Sequence, residues 1–204
     1  MMTPPIAVLI AWAIWLATWV LAMGRSGPTV SRPAPGAERL YTVVVNAGFA
    51  VLVASAFRAL GPRLWSLPPS TAWALVGLAI SGFGFCWWAR LHLGRTWSWG
   101  VTIKQSHRIV DTGPYGLVRH PIYTGVIVAA AATAAIEARA VALAGFAFMV
   151  AGLSIKARLE ERFLAAELGA ATYGAYAART GMLIPKIRIG TASATRDRHI
   201  VRQR

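Results

Sequence analysis

The chain has 204 residues, of which 56% are hydrophobic and only 14% charged, and this composition excludes an ordinary soluble domain. Lys and Arg outnumber Asp and Glu by 21 to 7, but the basic residues flank long apolar runs and do not form one face with interleaved polar residues. The charge therefore does not indicate nucleic-acid binding, and an integral membrane protein is expected.

Three apolar segments in the first half of the chain predict membrane-spanning helices, which need roughly 20 apolar residues each. They cover about residues 5–23, 40–60 and 71–91. No Lys or Arg precedes the first segment, and it contains three tryptophans, so a retained helix is favoured over a secretory signal peptide.

Small residues within the third segment suggest close helix packing. Gly77, Gly82 and Gly84 allow neighbouring helices to approach closely in lipid. Cys86 is the only cysteine, so no intrachain disulfide can form, and its apolar surroundings indicate a packing role. In the second segment, Asn46 is the one strongly polar residue before Arg58.

Two shorter apolar stretches follow His120, at residues 121–136 and 140–155, and only "EAR" separates them. This spacing predicts a tight helical hairpin that enters the membrane and returns. The Ala and Gly content of both arms suggests that they pack closely against each other.

The C-terminal region is predicted to lie outside the membrane. Residues 156–178 have apolar positions at helical spacing with charges on the remaining face, which indicates a helix, with a break at Gly169. The last 15 residues are basic and without period, so disorder or contact with anionic headgroups is expected. The expected divisions are residues 1–92 with three membrane helices, a core at 93–185, and a tail at 186–204.

The distribution of basic residues predicts the orientation of an all-α, five-span protein. With the N-terminus outside, 18 of the Lys and Arg residues lie on the inner side and 3 on the outer side. By the positive-inside rule, the C-terminus and the segment around His120 are expected to be cytoplasmic.

The first candidate site is the sequence "KQSHRIVDTGPYGLVRHPIY" at 104–123. Pro121 suits the first turn of the fourth helix, and His120, as the residue before proline, is pushed toward an extended conformation. The His120 ring would then stand at a helix N-terminus, where free N–H groups favour an anion. An ordinary interfacial turn, with Arg119 and His120 at the headgroups, is the alternative.

The second candidate site is "KARLEERF", just beyond the last apolar stretch. Lys156 and Glu160 are four residues apart, so they share a helix face and can reach one ligand or each other, and Glu161 follows directly. A surface ion pair is the alternative. The functional interpretation is a carboxylate for a cationic group of a ligand and a base for an anionic one.

Together these motifs resemble a known family. "HRIVDTGPYGLVRHPIYTG", followed by "EERFLAAELGAATYGAYAART" and "LIP", is similar to the isoprenylcysteine carboxyl methyltransferase family and to the related phospholipid methyltransferases. The resemblance covers about residues 93–185. It implies a membrane enzyme that transfers a methyl group from S-adenosylmethionine to a lipophilic or membrane-embedded acceptor, such as a prenylcysteine-type carboxylate.

The resemblance also implies the site residues. Residues expected to act on the substrate are Arg119, Lys156, Arg158 and Glu160. The family has an arginine where this chain has Lys156, and lysine cannot form the bidentate pair that arginine forms with a carboxylate. Residues expected to bind the cofactor are Lys104, His107, Arg108, Ile109, Val110, Tyr115, His120, Pro121, Ile122, Tyr123, Glu160 and Glu161.

Two other functions stay open from the sequence. One is a membrane reductase of the sterol-reductase kind, which would use a nicotinamide cofactor and whose C-terminal region is similar to this one. The other is a membrane scaffold or lipid-binding protein without chemistry. Thermal stabilisation of the protein by the methyl donor would indicate the methyltransferase, and stabilisation by a nicotinamide would indicate the reductase. Stabilisation by neither would indicate the scaffold.

Overall fold

A computed structural model describes residues 1–22, 35–56, 60–94 and 109–186. Within these ranges the regular structure is helical, apart from one isolated bridge between Val118 and Gly181. The predicted all-α fold is therefore confirmed for the described part of the chain. The helices are α1 (Pro4–Leu21), α2 (Pro35–Ala54), α3 (Pro69–Leu93), α4 (Pro114–Leu117), α5 (Pro121–Glu137), α6 (Ala140–Leu168) and α7 (Ala170–Arg179).

Each of the first five of these helices begins with a proline, which fixes φ and lacks only an N–H that would have no partner in the first turn. Pro121 occupies the first turn of α5, as the sequence predicts. His120 precedes it with φ −123° and ψ 64°, outside the helical region, as expected of a residue before proline.

Three of the described helices, α1, α3 and α6, are long and apolar enough to cross a membrane. α5 is apolar but has 17 residues, and α2 carries Glu38 and Arg39 in its first turns and is not among the three. These helices support the prediction of a membrane protein. The number of five crossings and their orientation stay predictions.

The helices pack most extensively as two pairs, α2 with α6 and α3 with α5. A Cβ atom at Gly145 of α6 would lie 2.9 Å from the carbonyl oxygen of Gly48 in α2. In the other pair, a Cβ atom at Gly82 of α3 would lie 2.6 Å from the carbonyl oxygen of Gly125 in α5. Only glycine permits these backbones to approach so closely.

The glycines of α3 do not all serve packing. Gly82 has the predicted role, but a Cβ atom at Gly77 or Gly84 would meet no atom within 4 Å. The expectation of close contacts at these two positions is therefore wrong. Cys86 is buried and donates a hydrogen bond of 3.3 Å to the carbonyl oxygen of Ile122, in agreement with a packing role.

The two helices of the predicted hairpin are present, and its passage into the membrane and back stays a prediction. α5 ends at Glu137, Ala138 takes the left-handed conformation with φ 54°, and α6 begins at Ala140. The two arms contact each other, as the sequence predicts, but the closest backbone approaches are those of Gly125 to α3 and Gly145 to α2. Each arm of the hairpin therefore belongs to a different helix pair, α5 to the pair with α3 and α6 to the pair with α2.

Two helix boundaries decide where the site forms. α6 continues past its apolar part to Leu168, and the predicted break follows at Gly169, which has φ 90° and precedes α7. α2 is displaced from the predicted range 40–60 toward the N-terminus and ends at Ala54. Glu38 in its first turn favours this earlier start, because a carboxylate is stabilised near a helix N-terminus.

Candidate active site

A cavity of about 380 Å³ lies between α1, α2, α5, α6 and α7. One end is polar and carries side chains from five parts of the chain, and the other end is apolar and rich in aromatic rings. The polar end is lined by Tyr41, Tyr115, Arg119, His120, Tyr123, Lys156, Glu160, Tyr173 and Tyr176. The apolar end is lined by Trp12, Trp15, Leu16, Val45, Phe49, Val126, Met149 and Leu153.

The His120 ring lies between the two consecutive glutamates of α6. Nδ1 of His120 is 3.3 Å from Oε2 of Glu160, and Nε2 is 3.1 Å from Oε1 of Glu161. This contact joins the N-terminus of α5 to the charged part of α6. Burial disfavours the charged imidazole, but the two carboxylates outweigh it and raise the pKa of His120 above its ordinary value.

A tyrosine holds the second oxygen of Glu160. The Tyr123 hydroxyl donates a hydrogen bond of 2.6 Å to Oε1 of Glu160. The rings of Tyr123 and His120 are stacked, with centroids 5.3 Å apart and an angle of 5° between their planes. The carboxylate of Glu160 is therefore fixed at both oxygens on the cavity wall.

Lys156 lies one helical turn before Glu160 and faces the same cavity, as their spacing predicts. Its Nζ is 5.3 Å from the centre of the Tyr41 ring and 5.2 Å from the centre of the Tyr123 ring, within the range of cation–π attraction. The cavity therefore carries a cation and a carboxylate on adjacent turns of α6.

Arg119 ties three elements together at the rim of the cavity. Its Nε donates a hydrogen bond of 2.7 Å to Oε1 of Glu161. Nη1 donates to the carbonyl oxygens of Ala177, at 3.1 Å, and Thr180. Arg119 thus satisfies carbonyl groups at the C-terminal end of α7, which favours a positioning role for its guanidinium.

The chain after α7 returns to the segment that carries Arg119 and His120. The backbone N–H of Arg119 donates to the carbonyl oxygen of Gly181 at 2.8 Å, and that of His120 donates to Met182 at 3.1 Å. The Thr124 hydroxyl donates to the carbonyl oxygen of Leu183 at 2.8 Å. We call residues 180–184 the C-terminal strap, since they hold the N-terminal end of α5 in place.

α7 closes the polar end with two tyrosines. Tyr176 donates a hydrogen bond of 2.8 Å to the carbonyl oxygen of Tyr115. Burial raises the pKa of Tyr115 and of Tyr176, which disfavours the charged form of both hydroxyls. Tyr173 lines the cavity beside them.

The structure brings most of the predicted site residues to this cavity. Glu161 contacts Arg119 and His120 without lining the cavity, and Arg158 is exposed and away from it. Lys104, His107 and Arg108 lie outside the described residues. Those that line the cavity are Ile109, Val110, Tyr115, Arg119, His120, Pro121, Ile122, Tyr123, Lys156 and Glu160.

Sequence reasoning missed the walls contributed by α1, α2 and α7. The apolar run of α1 predicts only a span, although Trp12, Trp15 and Trp19 recur at spacings of three and four on one helix face. Asn46 was noted as polar but given no role, and it lines the cavity. The spacing of Tyr173 and Tyr176 in "TYGAY" was the available signal for α7.

Two comparisons with known proteins bear on this site. Residues 75–166 match the model of the isoprenylcysteine carboxyl methyltransferase family, which supports membership in that family. The chain is also 27% identical over 140 residues to the cobalt-zinc-cadmium resistance protein CzcN of Cupriavidus metallidurans. That alignment covers 67% of this chain and 58% of the relative, so the chain spans little more than half of that protein.

Proposed function

We propose that this member of the isoprenylcysteine carboxyl methyltransferase family transfers a methyl group from S-adenosylmethionine to a lipophilic acceptor at the cytoplasmic face of a membrane. The observation that carries the proposal is the two-ended cavity. Its polar end suits a charged, water-soluble donor and its apolar end suits a lipophilic acceptor, so both can meet within one enclosure. The excess of basic residues beside the site supports the cytoplasmic side.

The residues at the polar end fit the methyl donor. Glu160 offers a fixed carboxylate to the ammonium group, and the rings of Tyr115 and Tyr176 offer aromatic surface to the sulfonium and to the adenine. The resemblance adds Ile109 and Val110 from the wall, and Lys104, His107 and Arg108 from outside the described residues.

His120 has a different role from the one expected of a residue at a helix N-terminus. Because both of its ring nitrogens face carboxylates within the protein, we propose that it orients Glu160 and Glu161. It would not bind the carboxylate of the donor directly. Arg119 supports the same arrangement through Glu161.

The donor carries a methyl group that is already activated. The protein therefore has to position the acceptor beside this methyl group and to exclude water from the site. Lys156 is placed to hold an anionic acceptor next to the donor, as the arginine of the family would. A prenylcysteine-type carboxylate or a lipophilic thiolate carries such a charge. Lysine acts as a point charge and does not require the planar shape of a carboxylate.

The test is transfer of a labelled methyl group from S-adenosylmethionine to a panel of prenylated cysteines, lipophilic acids, thiols and phospholipid amines, with products identified by mass spectrometry. Labelled product from an anionic lipophilic acceptor supports the proposal. Absence of donor binding to the folded protein by calorimetry would overturn it. Stabilisation by a nicotinamide cofactor, without stabilisation by the methyl donor, would favour the reductase instead.

A further inference from the structure

The apolar end of the cavity stops at two aromatic rings. The rings of Trp12 in α1 and Phe49 in α2 have centroids 5.1 Å apart, and Met149 of α6 lines the cavity beside them. Val8 and Leu52, one turn further along α1 and α2, are fully buried and do not line the cavity. The Trp12–Phe49 pair therefore forms the floor of the cavity. We call the apolar part of the cavity between this floor and Lys156 the chamber.

The Trp12 side of this floor is held rigidly. Its Nε1 donates a hydrogen bond of 2.9 Å to the Thr133 hydroxyl of α5, and its ring meets that of Phe83 edge-on at 4.8 Å. Only 3% of Trp12 is exposed. Another position of this ring would leave a buried donor without a partner, which costs about 1–3 kcal/mol.

The Phe49 side is held through the backbone. Its neighbour Gly48 lies so close to α6 that a Cβ atom there would be 2.7 Å from the backbone nitrogen of Met149. α2 cannot move inward at this level, and Phe49 is fixed at the height of Met149. The backbone that carries Phe49 cannot move toward the cavity without a shift of a packed helix.

The depth of the chamber follows from the register of the helices around it. Tyr41 faces Lys156, Val45 lies against Gly152, and Gly48 lies against Met149. Lys156 and Met149 are seven residues apart on α6. At roughly 1.5 Å per residue, the floor lies about 10 Å below the Lys156 level.

The wall formed by α1 gives the same depth, since Trp19 and Trp12 are also seven residues apart and both line the cavity. The side chains between these levels on α1, α5 and α6 are apolar, namely Trp15, Leu16, Val126 and Leu153. On α2, Thr42 and Asn46 line the exposed edge.

We propose that the Trp12–Phe49 pair determines acceptor specificity by limiting the apolar part of the acceptor that the chamber holds to about 10 Å. At roughly 1.25 Å per carbon along an extended chain, this is about eight carbons. The acceptor class is then a single-chain lipophilic anion with a short tail, whose charged group lies at Lys156. The inference rests on the proposed function for the identity of the occupant.

The experiment measures binding without the methyl donor, so it can be read even if methyl transfer fails. The probes are straight-chain carboxylic acids, with tails from half to twice the depth of the chamber, and affinity is measured by calorimetry on the full chain in detergent. In the wild type, affinity should increase up to about fourfold per added methylene until the tail fills the chamber and should then level off.

Two variants test the floor. In Phe49→Ala, affinity should level off only at longer tails. The two methylenes beyond the wild-type limit should each increase affinity by up to about fourfold. Phe49→Leu is a milder change that should move it less. Phe146→Ala is the matched control, because Phe146 packs against the same core without lining the cavity. It should leave the chain-length profile as in the wild type.

Partition of the probes into detergent is the same for all of these proteins and cancels in the comparison. An unchanged profile in both Phe49 variants would overturn the proposal, as would wild-type affinity that rises without a break to the longest tail, or no binding of any probe. A profile that moves with Phe49 while no methyl transfer is detected would support the chamber and overturn the proposed function.

Discussion

The hydroxyl of Tyr123 donates a hydrogen bond of 2.6 Å to Oε1 of Glu160. The other carboxylate oxygen lies 3.3 Å from the His120 ring, so both oxygens are held by residues of α5 and its N-cap. A carboxylate held in this way keeps its position on the cavity wall without a ligand. Binding of a cation there requires little further ordering of the side chain.

Glu160→Gln should lower the affinity for S-adenosylmethionine by at least about tenfold, which corresponds to about 1.4 kcal/mol. The amide keeps the shape of the side chain but removes the charge that attracts the ammonium group. Calorimetry of donor binding measures the effect. Glu167→Gln, an exposed position of the same helix, is the control and should bind like the wild type. Equal affinity of all three proteins would remove Glu160 from the site.

The His120 contacts should make stability depend on pH. Since the pKa of His120 is raised in the folded protein, its contribution is complete below its unfolded value of about 6.5 and is lost as pH rises through the higher folded value. The Tm of the wild type should therefore decrease above about pH 6.5, relative to His120→Asn. Parallel Tm profiles of the two proteins over this range would contradict the assignment.

Arg119→Lys should destabilise the protein by about 1–3 kcal/mol, because an ammonium group cannot serve Glu161 and the carbonyl groups of Ala177 and Thr180 at once. Thermal unfolding measures the change. Arg158→Lys, at an exposed position, is the matched control and should lie within about 0.5 kcal/mol of the wild type. If both variants unfold alike, Arg119 does not hold these elements together.

Gly125→Ala should destabilise the α3–α5 pair by about 1–3 kcal/mol, because the new Cβ atom would lie 2.6 Å from Sγ of Cys86 and against the carbonyl oxygen of Gly82. Gly77→Ala places the same methyl group in open space on α3 and should be neutral or slightly stabilising. Denaturation of both variants in the same detergent gives the comparison. Equal stability would show that α3 and α5 tolerate a wider separation.

The polar end of the site could be predicted because its signals are local. Pro121 fixes the start of a helix, and His120 is constrained by preceding it. Lys156 and Glu160 reach one cavity because four residues make about one helical turn. Each inference needs only a few neighbouring residues and the geometry of one helix.

The apolar end could not be predicted in the same way. A periodic row of aromatic residues, such as Trp12, Trp15 and Trp19, describes a buried helix face equally well whether the face meets a neighbour or a cavity. The glycines raised a related difficulty. Their small size indicates close approach but does not identify the partner helix, and the closest backbone contacts of Gly125 and Gly145 are with α3 and α2.

The C-terminal strap has a consequence for biosynthesis. A chain grows from its N-terminus, so every helix that walls the cavity is complete before Gly181 and Met182 are added to it. The carbonyl groups that accept hydrogen bonds from the backbone N–H groups of Arg119 and His120 are therefore synthesised after α7, among the last described residues. The last hydrogen bonds at the N-terminal end of α5 can therefore form only after the strap has been synthesised.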